Sequence, residues 1–201
     1  MATVEQNIDL TPENISDSFI SLKEFLRLYS DIEDGYKYEY NKGIIEKTKS
    51  MDQVQGFIQK ILMRLFVKTA LFQDDGSFLA ETDMKTSKSR LRRPDLAIYY
   101  GSQQAKIANQ ENQVAPWVAE IISPNDNANK INLKTDEYFK AGVKVVWNIY
   151  PASDQVYVYT SPEHITVCRG KTICSGKPAL PDFEISAEEL FAYKTQYLQK
   201  D

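Results

Sequence analysis

Two carboxylates stand where a charge is costly. Asp95 opens the apolar run Leu96-Ala97-Ile98-Tyr99-Tyr100, and Glu120 lies inside a second run, Trp117-Val118-Ala119 before it and Ile121-Ile122 after it. Both runs are too apolar to be solvated faces and read as buried strands. A carboxylate in such a strand costs several kcal/mol unless it is paired, hydrogen-bonded or bound to a cation. Two of them in consecutive strands predict something positive between them. A hard cation such as Mg²⁺ takes one or two carboxylates plus water and phosphate oxygens, and such a site suits phosphodiester hydrolysis. Lys134 and Tyr138, four residues apart, would share one stripe of the following helix and point toward the same sheet end. There the ammonium could orient or deprotonate an attacking water. Immediately before Asp95, the run Lys85, Lys88, Arg90, Arg92 and Arg93 sets cations where a polyanion backbone would pass to reach the metal. A solvated charged loop explains that run equally well.

The elements that must position these groups follow from periodicity and capping. Ser21 with Glu24 makes a capping box, and Leu22, Phe25, Leu26 and Tyr29 fall on one face, predicting a helix over 22–29. Tyr36-Lys37-Tyr38-Glu39-Tyr40 alternates aromatics with charges, Asn41-Lys42-Gly43 turns, and Ile44-Ile45-Glu46 returns: a hairpin in which Glu39 faces away from the tyrosines. From Met51 to about Phe72 apolar residues recur at helical spacing, predicting the main core helix. The run from Phe78 to Glu81 and the Asp95 and Glu120 runs follow as strands, with a polar loop over 103–113. Residues 129–141 read as a helix stopped by Gly142, and the strand Lys144 to Tyr150 closes a strand–helix–strand unit with parallel pairing. Residues 155–160 and 164–169 form an edge hairpin, and Ser186 with Glu189 caps a short last helix. Residues 1–17 are polar and expected to be loosely attached, with one domain over 18–201.

Composition excludes several classes. The formal charge of -4 argues against indiscriminate coating of nucleic acid, which phosphate neutralisation dominates. With Cys168 and Cys174 as the two cysteines and His164 as the one histidine, neither a disulfide framework nor a closed Cys/His zinc site can be assembled, and all three are assigned to structure. The N-terminal residues lack a basic and an apolar region, and no apolar run approaches the roughly 18 residues of a membrane span. A soluble cytoplasmic protein is expected.

The ordered set of motifs resembles the PD-(D/E)xK nuclease superfamily, and more closely its Uma-type restriction endonuclease family. Tyr38-Glu39-Tyr40-Asn41-Lys42-Gly43 matches the family's hairpin, Pro94-Asp95 its Pro-Asp strand, and Glu120-Ile121-Ile122-Ser123-Pro124 its acidic strand. Lys134, Tyr138, Gly142 and Val143 match its Lys-x-x-x-Tyr-x-x-x-Gly-Val, followed by Val146-Trp147 to Pro151 and the late Leu180-Pro181-Asp182-Phe183. The resemblance covers most of the chain. It implies a restriction-endonuclease-like α/β fold, a mixed β-sheet core flanked by helices with an N-terminal helix and hairpin. It also implies a Mg²⁺- or Mn²⁺-dependent endonuclease acting on DNA, with Asp95 and Glu120 as metal ligands, Lys134 positioning water, Glu39 as an assisting carboxylate and Tyr138 in support. Two positions depart from pattern. The superfamily lysine stands two residues after the acidic residue, where this chain has Ile122, so its role passes to Lys134, and Lys130 stands where many relatives carry an acidic residue.

Plainer readings stand beside this one. Asp95 could pair with Arg92 or Arg93, Glu120 could form a structural ion pair with Lys134, and Tyr138 could be ordinary core. At the level of the whole protein the alternative is a noncatalytic nucleic-acid-binding or assembly subunit that keeps the fold. A homodimer is expected from the aromatic hairpin and the late edge strands.

Overall fold

The computed structural model describes residues 19–30 and 32–197. The segment expected to be loosely attached, residues 1–17, and the expected domain start at residue 18 lie outside the described residues. Helix α1 (Leu22–Tyr29) starts where the Ser21 hydroxyl accepts the Glu24 N–H at 3.1 Å. Strands β1 (Tyr36–Asn41) and β2 (Ile44–Lys49) pair antiparallel through a two-residue turn. Its residues Lys42 and Gly43 both take positive φ, 52° and 92°, the conformation whose twist matches the flanking strands. The period of two divides β1. Tyr38 and Tyr40 pack on Tyr29 and Phe25 of α1, with ring centroids 4.8 and 5.5 Å apart, while Lys37 and Glu39 are turned to the opposite side.

The expected core helix is present but shorter. Helix α2 (Gln55–Phe66) buries Ile58, Leu62 and Phe66, four residues apart, and the chain then breaks. Thr69 is the cause: its hydroxyl bonds the Phe66 carbonyl at 2.7 Å and accepts the Phe72 N–H at 3.2 Å, capping a separate turn, α3 (Ala70–Gln73). After β3 (Ser77–Ala80), the basic run expected as an approach to Asp95 folds into a tight hairpin, β4 (Met84–Ser87) and β5 (Arg90–Arg92). Tyr40 of β1 pairs with Leu91 of β5, giving a four-stranded sheet in the order β2-β1-β5-β4.

The larger sheet carries the rest. It comprises β6 (Leu96–Tyr99), β7 (Trp117–Ile121), β8 (Val145–Tyr150), β9 (Gln155–Ser161) and β10 (His164–Arg169), with β3, in the order β10-β9-β8-β7-β6-β3. The β7–β8 pair is parallel and its neighbours are antiparallel, so the sheet is mixed. A short helix, α4 (Gln104–Ala108), occupies part of the expected polar loop. Helix α5 (Ala128–Ala141) makes the β7–β8 crossover and ends at Gly142, whose φ of 107° is left-handed. The small β11 (Ile173–Ser175) and β12 (Glu184–Ser186) pair precedes α6 (Ala187–Phe191), capped by Ser186 and Glu189 as expected, and α7 (Tyr193–Tyr197). One face of the large sheet packs on α2 and α6 through Trp117, Trp147, Leu62 and Leu190. The other meets α5 through Val118, Val146, Tyr138 and Val143. Among the described residues no helix is long and apolar enough to cross a membrane.

Candidate active site

Strand register brings the two carboxylates together. Leu96 of β6 lies opposite Ala119 of β7 in an antiparallel pair, so Asp95, one residue before β6, falls across from Glu120. Asp95 is fixed there by the Ile121 N–H, which donates to its Oδ2 at 2.6 Å. From above, α5 lowers Lys134 and Tyr138, four residues apart on one stripe. The Lys134 ammonium stands 3.0 Å from Glu120 Oε1 and 2.8 Å from Glu39 Oε1, and the Tyr138 hydroxyl donates to Glu120 Oε1 at 2.5 Å. The side of β1 facing away from the tyrosines delivers Glu39, which also accepts the Arg93 N–H at 2.7 Å. The structure therefore assembles Asp95, Glu120, Lys134, Tyr138 and Glu39 in one buried cluster.

A residue that sequence reasoning passed over sits at its centre. Lys37, 5 % exposed, places its ammonium 2.5 Å from Asp95 Oδ1, 3.9 Å from Glu120 Oε2 and 3.2 Å from the Arg93 carbonyl. The signal was present: Lys37 and Glu39 are two apart in a strand and so share a face. Neither plainer pairing proposed for Asp95 occurs, because Arg93 pairs with Asp83 at 2.7 Å and Arg92 is engaged elsewhere. Arg92, 3 % exposed, binds Glu39 at 3.2 Å, Glu137 at 2.8 Å and Glu46. Arg90 joins the same knot through Glu137 at 3.1 Å and Asn41 at 3.0 Å. Of the basic run, Lys85 and Lys88 are exposed and Arg93 lines a cleft, whereas Arg92 is turned inward and holds β5 to β1, β2 and α5. The Glu120–Lys134 ion pair foreseen as the plainer reading is present, within a larger network.

The network separates its carboxylates electrostatically. Burial raises the Glu39 pKa, but Lys134, Lys37 and Arg92 outweigh it and hold the carboxyl below its ordinary range. At Glu120 burial wins, helped by Asp95 and Glu39 and opposed by Lys134 and Lys37, and the pKa is raised. Burial works against the charges of Lys37 and Lys134, yet Glu120 with Asp95 and Glu39 in one case, and Glu120 with Glu39 in the other, raise both. Burial and the charge of Glu120 push the Tyr138 hydroxyl well up, which keeps it a donor. Carboxylates driven apart in this way are the pattern by which one site assigns different proton roles to like groups.

The donors suit a hard divalent cation in kind. Asp95 Oδ1, Glu120 Oε2 and the Arg93 carbonyl converge on one point of positive charge, which the Lys37 ammonium marks. Among the described residues no group of three or more His, Cys, Asp or Glu could hold a metal, so a cation here would rest on two carboxylates with water or phosphate oxygens completing its shell. A cleft of about 550 Å³ lined by Gly35, Tyr36, Ser50, Glu81 and Arg93 among others lies nearby, joined to the cluster through Arg93, whose backbone bonds Lys37 and Glu39.

Of the aromatic surface expected of the hairpin, Tyr36 is exposed, whereas α1 covers Tyr38 and Tyr40. Exposed apolar side chains remain on the edge strand β10, at Ile165 and Val167.

Comparison with known proteins completes the picture. Over residues 22–188 the sequence matches the family Uma2, described as "Putative restriction endonuclease". The fold matches the crystal structure of a "putative nuclease belonging to DUF820" from Anabaena variabilis, with a TM-score of 0.73 and 21% sequence identity, covering 87% of this chain and 98% of that one. At that identity the likeness shows the fold. No curated protein matches the sequence.

Proposed function

Because the chain belongs to the Uma2 family of restriction-endonuclease-like proteins, we propose that it is a metal-dependent endodeoxyribonuclease that hydrolyses phosphodiester bonds of DNA at the cluster of Asp95, Glu120 and Lys134. The observation that carries this reading is the convergence of Asp95, just before β6, with Glu120 of β7, Glu39 of β1 and Lys134 of α5 in one buried cluster. Asp95 and Glu120 would hold Mg²⁺ or Mn²⁺, which when bound supplies a Lewis acid for the phosphate oxygens and a more acidic water. Lys134, held between Glu120 and Glu39, orients the attacking water. Tyr138 fixes the rotamer of Glu120 by donating to its Oε1. Glu39 holds Lys134 in place and stays ionised to do so. Chemistry of this kind is chiefly positioning and charge neutralisation, and a rigid ionic cluster supplies both. Exposed Lys85 and Lys88 on the β4–β5 hairpin, with Arg93 at the cleft, are the proposed contacts to the DNA backbone, and Arg90 and Arg92 support them from within. The free, buried Cys168 and Cys174 suit a reducing compartment, and the cytoplasm is the proposed location. A homodimer is retained as a proposal on the edge of β10, where Ile165 and Val167 are exposed.

One observation favours a second reading, a noncatalytic nucleic-acid-binding or assembly subunit. Asp95 with Lys37, and Glu120 with Lys134, already form complete ion pairs. Nicking of supercoiled plasmid in Mg²⁺ or Mn²⁺, with chelator controls, separates the two. The nuclease reading expects metal-dependent nicking that Asp95→Ala and Glu120→Ala both abolish. Absence of cleavage by the parent across metals and substrates would overturn the nuclease reading and favour the second.

A further inference from the structure

Lys37 occupies the point on which the proposed metal ligands converge. Its ammonium touches Asp95 at 2.5 Å and lies 3.9 Å from Glu120, and the Arg93 carbonyl completes its oxygen surroundings at 3.2 Å. These are the donors a hard cation would use, so the ammonium and a divalent ion cannot both sit there. Lys37 also differs from Lys134 in what lies next to it. Lys134 is set in mid-helix between two carboxylates, whereas Lys37 lies one residue from the start of β1, and Arg93, whose carbonyl it touches, lines a nearby cleft. A lysine carries its charge on a flexible four-carbon stem, so its ammonium can leave Asp95 by rotation of the side chain alone.

The charges favour such an exchange. With every group ionised, the linked network sets Asp95, Glu120, Glu39, Glu46 and Glu137 against Lys37, Lys134, Arg92 and Arg90, one negative charge in excess. Replacing one buried ammonium by a divalent ion removes that excess. Leaving the site with neither cation would strip the buried Asp95 of the ammonium that pairs it, which is strongly unfavourable.

We infer that Lys37 is the displaceable counter-cation of this site: it holds Asp95 and Glu120 in place without metal, and a divalent cation binds by displacing its ammonium from them. The inference rests on the metal-dependent reading above and adds a residue that sets the affinity for the metal.

The test is a calorimetric titration of Mn²⁺ into the parent and Lys37→Met, with thermal melts of both. Lys37→Met should bind Mn²⁺ about tenfold more tightly or better, the scale of coupling between close charges. Without metal its Tm should fall below that of the parent, and Mn²⁺ should restore it. Equal or weaker binding by a folded Lys37→Met overturns the exchange and leaves the nuclease reading standing. Absence of binding by either protein overturns the metal site itself. Should Lys37→Met fail to fold, acylation of the parent by an N-hydroxysuccinimide ester, read at Lys37 by mass spectrometry, decides. Lys37 should become reactive at Mg²⁺ concentrations that saturate the protein, and unchanged protection there would overturn the proposal.

Discussion

On the face of β7 and β8 beneath α2 and α6, Trp117 and Trp147 meet edge to face at 5.2 Å, and both pack on Phe183. On the other face, beneath α5, the same two strands present Val118 and Val146 and then turn ionic: Glu120 meets Lys134, Tyr138 and Lys37. The two faces are stabilised by different physics. Aromatic packing adds favourable free energy with each area removed from water. A buried ion network loses in desolvation much of what it gains in attraction, and apolar residues of similar volume would often hold the fold as well or better. The apolar face therefore accounts for the stability, and the ionic face is where the fold forgoes some of it to keep charges in fixed positions.

The sharpest way to separate the faces is to remove one charge without removing volume. Lys134→Met keeps the aliphatic stem, so divalent-metal binding should persist while plasmid cleavage falls by about 10²–10⁴-fold, as for loss of a positioned proton-transfer group. Cleavage at the parental rate would remove Lys134 from the chemistry. On the apolar face the expected result is the reverse. Trp147→Ala should cost roughly 3–5 kcal/mol in urea denaturation, yet the protein that remains folded should bind Mn²⁺ as the parent does. A metal affinity that fell in step with stability would show that the two faces are not separable.

A smaller effect comes from pH. The Glu39 carboxyl is held down to about 2 from its ordinary 4.5, so its ionised form stabilises the fold at neutral pH. That contribution is lost as pH falls from about 4.5 through about 2. Glu39→Gln should lower the urea midpoint at pH 7 and flatten its decline over that acid range, whereas an unchanged acid limb would show that Glu39 is not the group that carries it. The mildest change is at the surface. Lys88→Ala should leave stability and metal binding alone and reduce the salt dependence of DNA binding by a slope of about one, the loss of one phosphate contact. An unchanged slope would leave Lys88 outside the DNA path.

Much of the frame could be read from local chemistry. Ser21 with Glu24 located α1, the Lys42-Gly43 turn located the first hairpin, and Gly142 located the end of α5, because caps and tight turns are written in adjacent residues. The pairing of Asp95 with Glu120 followed from two consecutive buried strands. Lys37 was harder: its phase with Glu39 was visible in Tyr-Lys-Tyr-Glu-Tyr, but what that face meets depends on how β1 packs against β5 and α5, far along the chain. The β4–β5 hairpin was hidden for a related reason. Its strands are short and charged, and its arginines are satisfied by Glu46 and Glu137, some 45 residues away in either direction. Local patterns left a solvated loop and a polyanion approach equally open, and tertiary ion pairs made a strand.

Diffraction from crystals soaked in Mn²⁺, recorded at the manganese absorption edge, addresses the metal site most directly. The geometry predicts one anomalous peak between Asp95 and Glu120, within ligand distance of both, with the Lys37 ammonium withdrawn from Asp95. No peak at saturating Mn²⁺, with Lys37 still bound to Asp95, would contradict it and leave the cluster a structural ion network.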